Sequence, residues 1–127
     1  MTLSQLLRSL SDSERDFIAA LDYSADREVH RAALDAVIEQ DGDVDFDAQG
    51  CWHPYEVIEL GKCSLQTGHE REYAACMGIV LRNIETGRDG CNDLEHILEE
   101  YYSSIQTLPD ALRALIDQMI ERIIDTK

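Results

Sequence analysis

A chain of 127 residues with 44% apolar side chains is long enough to bury one packed core. Its 26 acidic and 11 basic residues leave a formal net charge of −15, a sign that excludes direct binding to nucleic acid or anionic membranes, both polyanions. No apolar run approaches the roughly 20 residues needed to span a bilayer. The start, Met1 to Arg8, lacks the basic head, long apolar stretch and small-residue cleavage site of an export signal. A single acidic domain over residues 1–127, in the cytoplasm, is therefore expected.

Taken in order, Leu3, Leu6, Leu7 and Leu10 have helical spacing. Ser11-Asp12-Ser13-Glu14 reads as a capping box opening a second helix with Phe17, Ile18 and Leu21 on its apolar face. After a break at 22–24, Ser24 caps a helix over about 25–40 whose apolar positions are Val29, Ala33, Val37 and Ile38. Residues 41–50, Asp-Gly-Asp-Val-Asp-Phe-Asp-Ala-Gln-Gly, form an acidic loop, because Gly and repeated Asp compete with helical hydrogen bonds. Residues 52–60 admit two readings. Pro54 and Gly61 suit the ends of a short helix, whereas Val57-Ile58 suits a buried strand.

Tyr73, Cys76, Met77, Val80, Leu81 and Ile84 make the clearest stripe in the middle of the chain, stopped by Gly87. Asn92 and Glu95 cap a helix bearing Leu94, Ile97, Leu98, Tyr101, Tyr102 and Ile105. Tyr101 and Tyr102 are neighbours and cannot share one side of it, so one lies near the surface beside Glu99 and Glu100. Pro109 starts the last helix, with Leu112, Leu115, Ile116, Met119, Ile120 and Ile123 on one face. The expected fold is all-α: a compact antiparallel bundle of six or seven helices with an acidic loop near 41–50.

The charge is clustered. No Lys or Arg lies between Arg31 and Lys62, a stretch holding Asp35, Glu39, Asp41, Asp43, Asp45, Asp47, Glu56 and Glu59. The stretch between Arg88 and Arg113 has none either, but carries Asp89, Asp93, Glu95, Glu99, Glu100 and Asp110. Solubility needs only about 2 to 8 net charges in a small domain. The excess therefore points to a basic partner, and a saline source environment is the other way to explain it.

Three chemistries were weighed against that reading. Cys51, His53, Cys63 and His69 could ligate zinc, but no C-x-x-C or H-x₃₋₅-H pair pre-forms half a tetrahedron. Asp41, Asp43, Asp45, Asp47 and Gln49 fall on the oxygen positions of a calcium loop. Phe46 stands where that loop needs Gly, and Trp52 where it needs a bidentate Glu. No Gly-rich phosphate loop and no flanked nucleophile is present. The four cysteines are expected to be reduced thiols, with Cys76 a small core residue. No catalytic residue, metal site or cofactor is assigned.

The segment Trp52-His53-Pro54-Tyr55-Glu56-Val57-Ile58-Glu59-Leu60 stands with His69-Glu70-Arg71-Glu72-Tyr73 and Arg82-Asn83-Ile84-Glu85-Thr86-Gly87-Arg88-Asp89. Over roughly residues 50–90 this resembles small acidic bacterial immunity proteins encoded beside polymorphic toxins, including contact-dependent growth inhibition systems. The resemblance implies no enzyme activity. It implies neutralisation of a cognate basic toxin domain, expected to be a nuclease, by an acidic surface laid over its active or substrate-binding site. The expected partner-binding residues are Asp41, Asp43, Asp45, Asp47, Glu56, Glu59, Glu99, Glu100 and Tyr102. The alternatives are a nucleic-acid-mimicking inhibitor of the anti-restriction or anti-CRISPR type, and a Cys/His metal-binding protein.

Overall fold

Two capping boxes set the first 20 residues. Thr2 Oγ1 accepts from the Gln5 amide at 3.2 Å while Gln5 Oε1 accepts from the Thr2 amide at 2.9 Å. Ser11 and Glu14 repeat the exchange at 3.2 and 2.8 Å. Each box satisfies amides that a helix N-terminus would otherwise leave orphaned. They open α1 (Leu3–Ser9) and α2 (Asp12–Ala20). In this computed structural model the described residues are 1–20, 27–41, 68–86, 94–104 and 108–125. The remaining helices are α3 (Arg27–Glu39), α4 (Glu70–Glu85), α5 (Leu94–Ser104) and α6 (Asp110–Asp125). Among the described residues every regular element is helical, and the protein is an all-α bundle.

The bundle is built around α4. A one-sided stripe was expected there, yet residues 72–81 are buried without a break. A helix apolar all round is a core helix, and small residues make it so. Ala75 and Gly78 let neighbours approach on the side away from Tyr73, Cys76 and Val80. At Gly78 the approach is closest: a Cβ there would stand 2.4 Å from Leu3 Cδ1. Against α4 pack α6, α1 and α2. All six apolar positions expected of α6, Leu112, Leu115, Ile116, Met119, Ile120 and Ile123, are buried. Leu108 adds to this core just before the helix, where the Pro109 carbonyl accepts from the Arg113 amide at 3.0 Å.

On α3 three of the four expected apolar positions, Ala33, Val37 and Ile38, are buried, and the first, Val29, is not. Val29 is 48% exposed, and the buried row is His30, Ala33, Leu34, Val37 and Ile38. That row has the i, i+3, i+4, i+7, i+8 spacing of a single stripe. Counting only apolar side chains misplaced its first member, because His30 occupies it. Asp41 ends α3 in the left-handed region (φ 56), its amide donating to the Ile38 carbonyl at 3.1 Å. Asp is one of the few residues that takes this conformation at modest cost.

Several expectations lie outside the described residues: Leu21, the Ser24 cap, loop residues 42–50, the choice of helix or strand at 52–60, the Gly87 stop, the Asn92 cap and Ile105.

Candidate functional site

The arginines determine what the acidic surface can do. Arg31 bridges α2 and α3, donating to Asp12 Oδ1 at 2.8 Å, to Asp35 Oδ1 at 3.1 Å and to Asp16 Oδ1. Hydrogen bonds to Asp12, then to Asp16 and Asp35, raise its pKa above the ordinary arginine value against the opposing cost of burial. Arg15 joins the same Asp35 carboxylate at 3.1 Å. Arg8 pairs with Asp41 at 3.2 Å, Arg71 with Glu14 at 2.8 Å and Arg82 with Glu85 at 3.6 Å. Five arginines are thus held by carboxylates of the protein itself. The acids left over face solvent. Glu39, Glu95, Glu99, Asp110, Glu121 and Asp125 are exposed and form no ion pair among the described residues.

Helix α5 carries two of these acids beside an exposed aromatic ring. Its inner side is Ile97 and Tyr101, with Leu98 half-buried. The Tyr101 hydroxyl donates to Asp117 Oδ1 at 3.0 Å, tying α5 to α6, and burial followed by that carboxylate raises its pKa. Tyr102 points away and is 53% exposed. Glu95, Glu99 and Tyr102 are spaced i, i+4, i+7, so the two exposed carboxylates and the ring form one outer row. Glu99 and Tyr102 were expected partner-binding residues. Glu95 was read as a cap and as one acid of the base-free stretch between Arg88 and Arg113, not as a partner-binding residue, although its spacing from Glu99 gives its place on the row. The Glu100 side chain lies outside the described residues.

Asp41, the first residue of the acidic loop, has a role inside the fold. Its Oδ1 accepts from Ser4 Oγ at 2.8 Å and from Arg8, fixing the end of α3 to α1. Asp43, Asp45, Asp47, Glu56 and Glu59 lie outside the described residues.

A second polar cluster lies at the start of α4. The His69 ring stacks on Phe17 with centroids 3.7 Å apart, and its Nδ1 is 2.8 Å from Glu72 Oε2. Glu72 is only 5% exposed. Arg71 reaches back to donate to Glu14 Oε2 at 2.8 Å, to Ser9 Oγ at 2.7 Å and to the Ser9 carbonyl at 3.1 Å. Glu14 also accepts from the Ser11 amide. Burial pushes the Glu14 carboxyl up, but the bonds from Arg71, Ser11 and Glu72 outweigh it and hold the group at about 2. Burial, then the adjoining Glu14, push Glu72 the other way, and His69 restrains that rise only in part.

His69 was weighed as a zinc ligand; here it is engaged with Phe17 and Glu72. Among the described residues no group of three or more His, Cys, Asp or Glu could hold a metal ion. Cys51, His53 and Cys63 lie outside them. Cys76 is a buried free thiol, pushed up by burial and by the nearby Glu72 charge. Among the described residues, no helix is long and apolar enough to cross a membrane.

No family model matches the chain, and no curated protein or solved structure matches it.

Proposed function

We propose that the protein is an inhibitor rather than an enzyme: an immunity protein that captures a basic toxin domain, a nuclease above all, by presenting carboxylates where phosphates would sit. One observation carries the reading. Five of the eight arginines among the described residues are paired internally, whereas the row Glu95, Glu99 and Tyr102 faces outward with no ion pair among the described residues. Uncompensated like charge on a surface destabilises the folded state by self-repulsion, and a cationic partner relieves it. Opposite charge also steers encounter, raising association rates well above those of neutral pairs. An aromatic ring beside the carboxylates supplies the apolar contact area typical of interface hot spots.

In this reading α5 provides one docking element and Asp43, Asp45, Asp47, Glu56 and Glu59 a second. The complex should be one-to-one, tight and sensitive to salt. The test is to co-express the tagged protein with the product of the adjacent gene, purify the complex and titrate salt. A stoichiometric complex with a basic toxin domain, together with protection of cells from it, supports the proposal. Failure to bind or protect rules out that partner. Competition with DNA for several unrelated basic proteins would support the nucleic-acid mimic instead.

A further inference from the structure

In so acidic a protein an arginine without a carboxylate stands out. Among the described residues Arg27, Arg113 and Arg122 form no ion pair. Arg122 is exposed in the last turn of α6. Asp125 follows it at the i+3 spacing of a helical ion pair, yet the two are not paired. Arg122 lines a cleft of about 190 Å³ where α1 and α6 meet α4, and Arg82 of α4 lines the same cleft.

Arg82 has donors to spare. Its contact with Glu85 is 3.6 Å, outside the range of a hydrogen bond, and it engages one terminal nitrogen of a guanidinium that carries five N–H donors. The Thr2 hydroxyl, also in the cleft, accepts from the Gln5 amide and keeps its own proton to donate. One carboxylate, Asp41, lines the cleft as well. Its Oδ1 is taken by Ser4 and Arg8, and the Arg8 charge offsets its own. With Arg8 set against Asp41 and Arg82 against Glu85, the charge left over is that of Arg122. Leu3 and Met119, both buried, form apolar walls. Such walls lower the local dielectric and strengthen the pull of a guanidinium on an anion. Arg122 also borders a second cleft of about 360 Å³, but Glu121 and Asp125 line that one and repel negative charge. The side shared with Arg82 is the favourable one.

We propose that Arg82 and Arg122 hold an oxyanion between them, the phosphoryl or carboxylate group of a small molecule. A guanidinium presents parallel N–H donors that match either group, and two guanidiniums on one cleft can engage several of its oxygens. The cleft shares no residue with the α5 row and selects the opposite charge, so it does not depend on capture of a basic partner.

The test is NMR of the isotope-labelled full chain, following the arginine Nε–Hε signals. Sodium phosphate and sodium acetate are titrated separately, with sodium chloride holding the ionic strength constant. Saturable shifts of the Arg82 and Arg122 signals with either anion support the site. Tighter binding of phosphate assigns a phosphoryl ligand, and tighter binding of acetate a carboxylate ligand. Arg122→Gln should weaken binding about tenfold or more, the loss expected when a hydrogen bond to a charged group is removed. Arg27→Gln, at an exposed position of α3 outside the cleft, should leave it unchanged. If Arg122→Gln fails to fold, Arg82→Gln is read in its place against the same control. Shifts that never saturate with either anion would overturn the proposal, as would binding that the cleft variant and Arg27→Gln weaken alike.

Discussion

Tyr101 and Tyr102 are adjacent, their ring centroids 5.3 Å apart and tilted by 54°, yet one faces the core and the other solvent. Tyr101 is fully buried with its hydroxyl on Asp117, whereas Tyr102 stands in solvent beside Glu99. This division predicts opposite outcomes for the same substitution. Tyr101→Ala should destabilise the domain by about 3 to 5 kcal/mol, the usual cost of emptying a buried aromatic site. Tyr102→Ala should change stability by no more than about 0.5 kcal/mol and should weaken partner binding. Urea unfolding checks the first pair of values, and affinity for the co-purified partner checks the last.

Glu14 should make folding acid-sensitive. Its folded pKa, about 2, lies below the ordinary value of 4.5, so its contribution is present above 4.5 and lost as pH falls toward 2. Glu14→Gln removes the Arg71 ion pair and weakens the Ser11 capping box. It should cost roughly 1 to 2 kcal/mol at pH 7, because solvent screens the partly exposed pair and one cap bond is weakened. The gap between wild type and variant should narrow steadily below pH 4. Chemical denaturation at pH 7 and pH 3 reads both values.

Gly78 is set by close approach of α1 to α4. A large side chain there must push Leu3 out of a core with little free volume. Gly78→Leu should therefore destabilise by about 1 to 3 kcal/mol or more. The paired change Gly78→Leu with Leu3→Ala should recover part of that loss. Additive losses in the double variant would show that the two sites do not share a contact.

Leu115→Ala and Ile116→Ala should each cost about 2 to 5 kcal/mol, because both side chains are buried between α6 and the bundle core. Neither should alter the salt dependence of partner binding once the variant is folded. Thermal unfolding and the salt titration together separate the two effects.

Periodicity made the bundle legible. The α6 row and the Ser11–Glu14 box were readable because apolar spacing and cap chemistry act over four residues or fewer. The Thr2–Gln5 box has the same form and went unread, although Thr-x-x-Gln is the same signature as Ser-x-x-Glu. The α4 environment was only half legible: Ala74, Ala75 and Gly78 say that something approaches closely, but not that it is Leu3. The outward position of Tyr102 followed from helix geometry once one of the tyrosines had to face out. Asp41 shows the limit for charged residues. Its place in an acidic run suggested a partner contact, but its contacts with Ser4 and Arg8 arise from residues more than 30 positions away. The Glu14–Arg71 pair is 57 residues apart and left no local signature.

The most direct test of the partner-binding proposal is the association rate of the purified protein with the product of the adjacent gene. It would be measured by stopped flow from low to high salt, for wild type and for Glu95→Lys/Glu99→Lys. Both sites are exposed on α5, so the double variant should fold as the wild type does. The account predicts that wild-type association slows steeply as salt rises. It also predicts that the double variant associates at least about tenfold more slowly at low salt, a reduction within the range that charge steering spans. A wild-type rate indifferent to salt, or a double variant as fast as wild type at low salt, would contradict it.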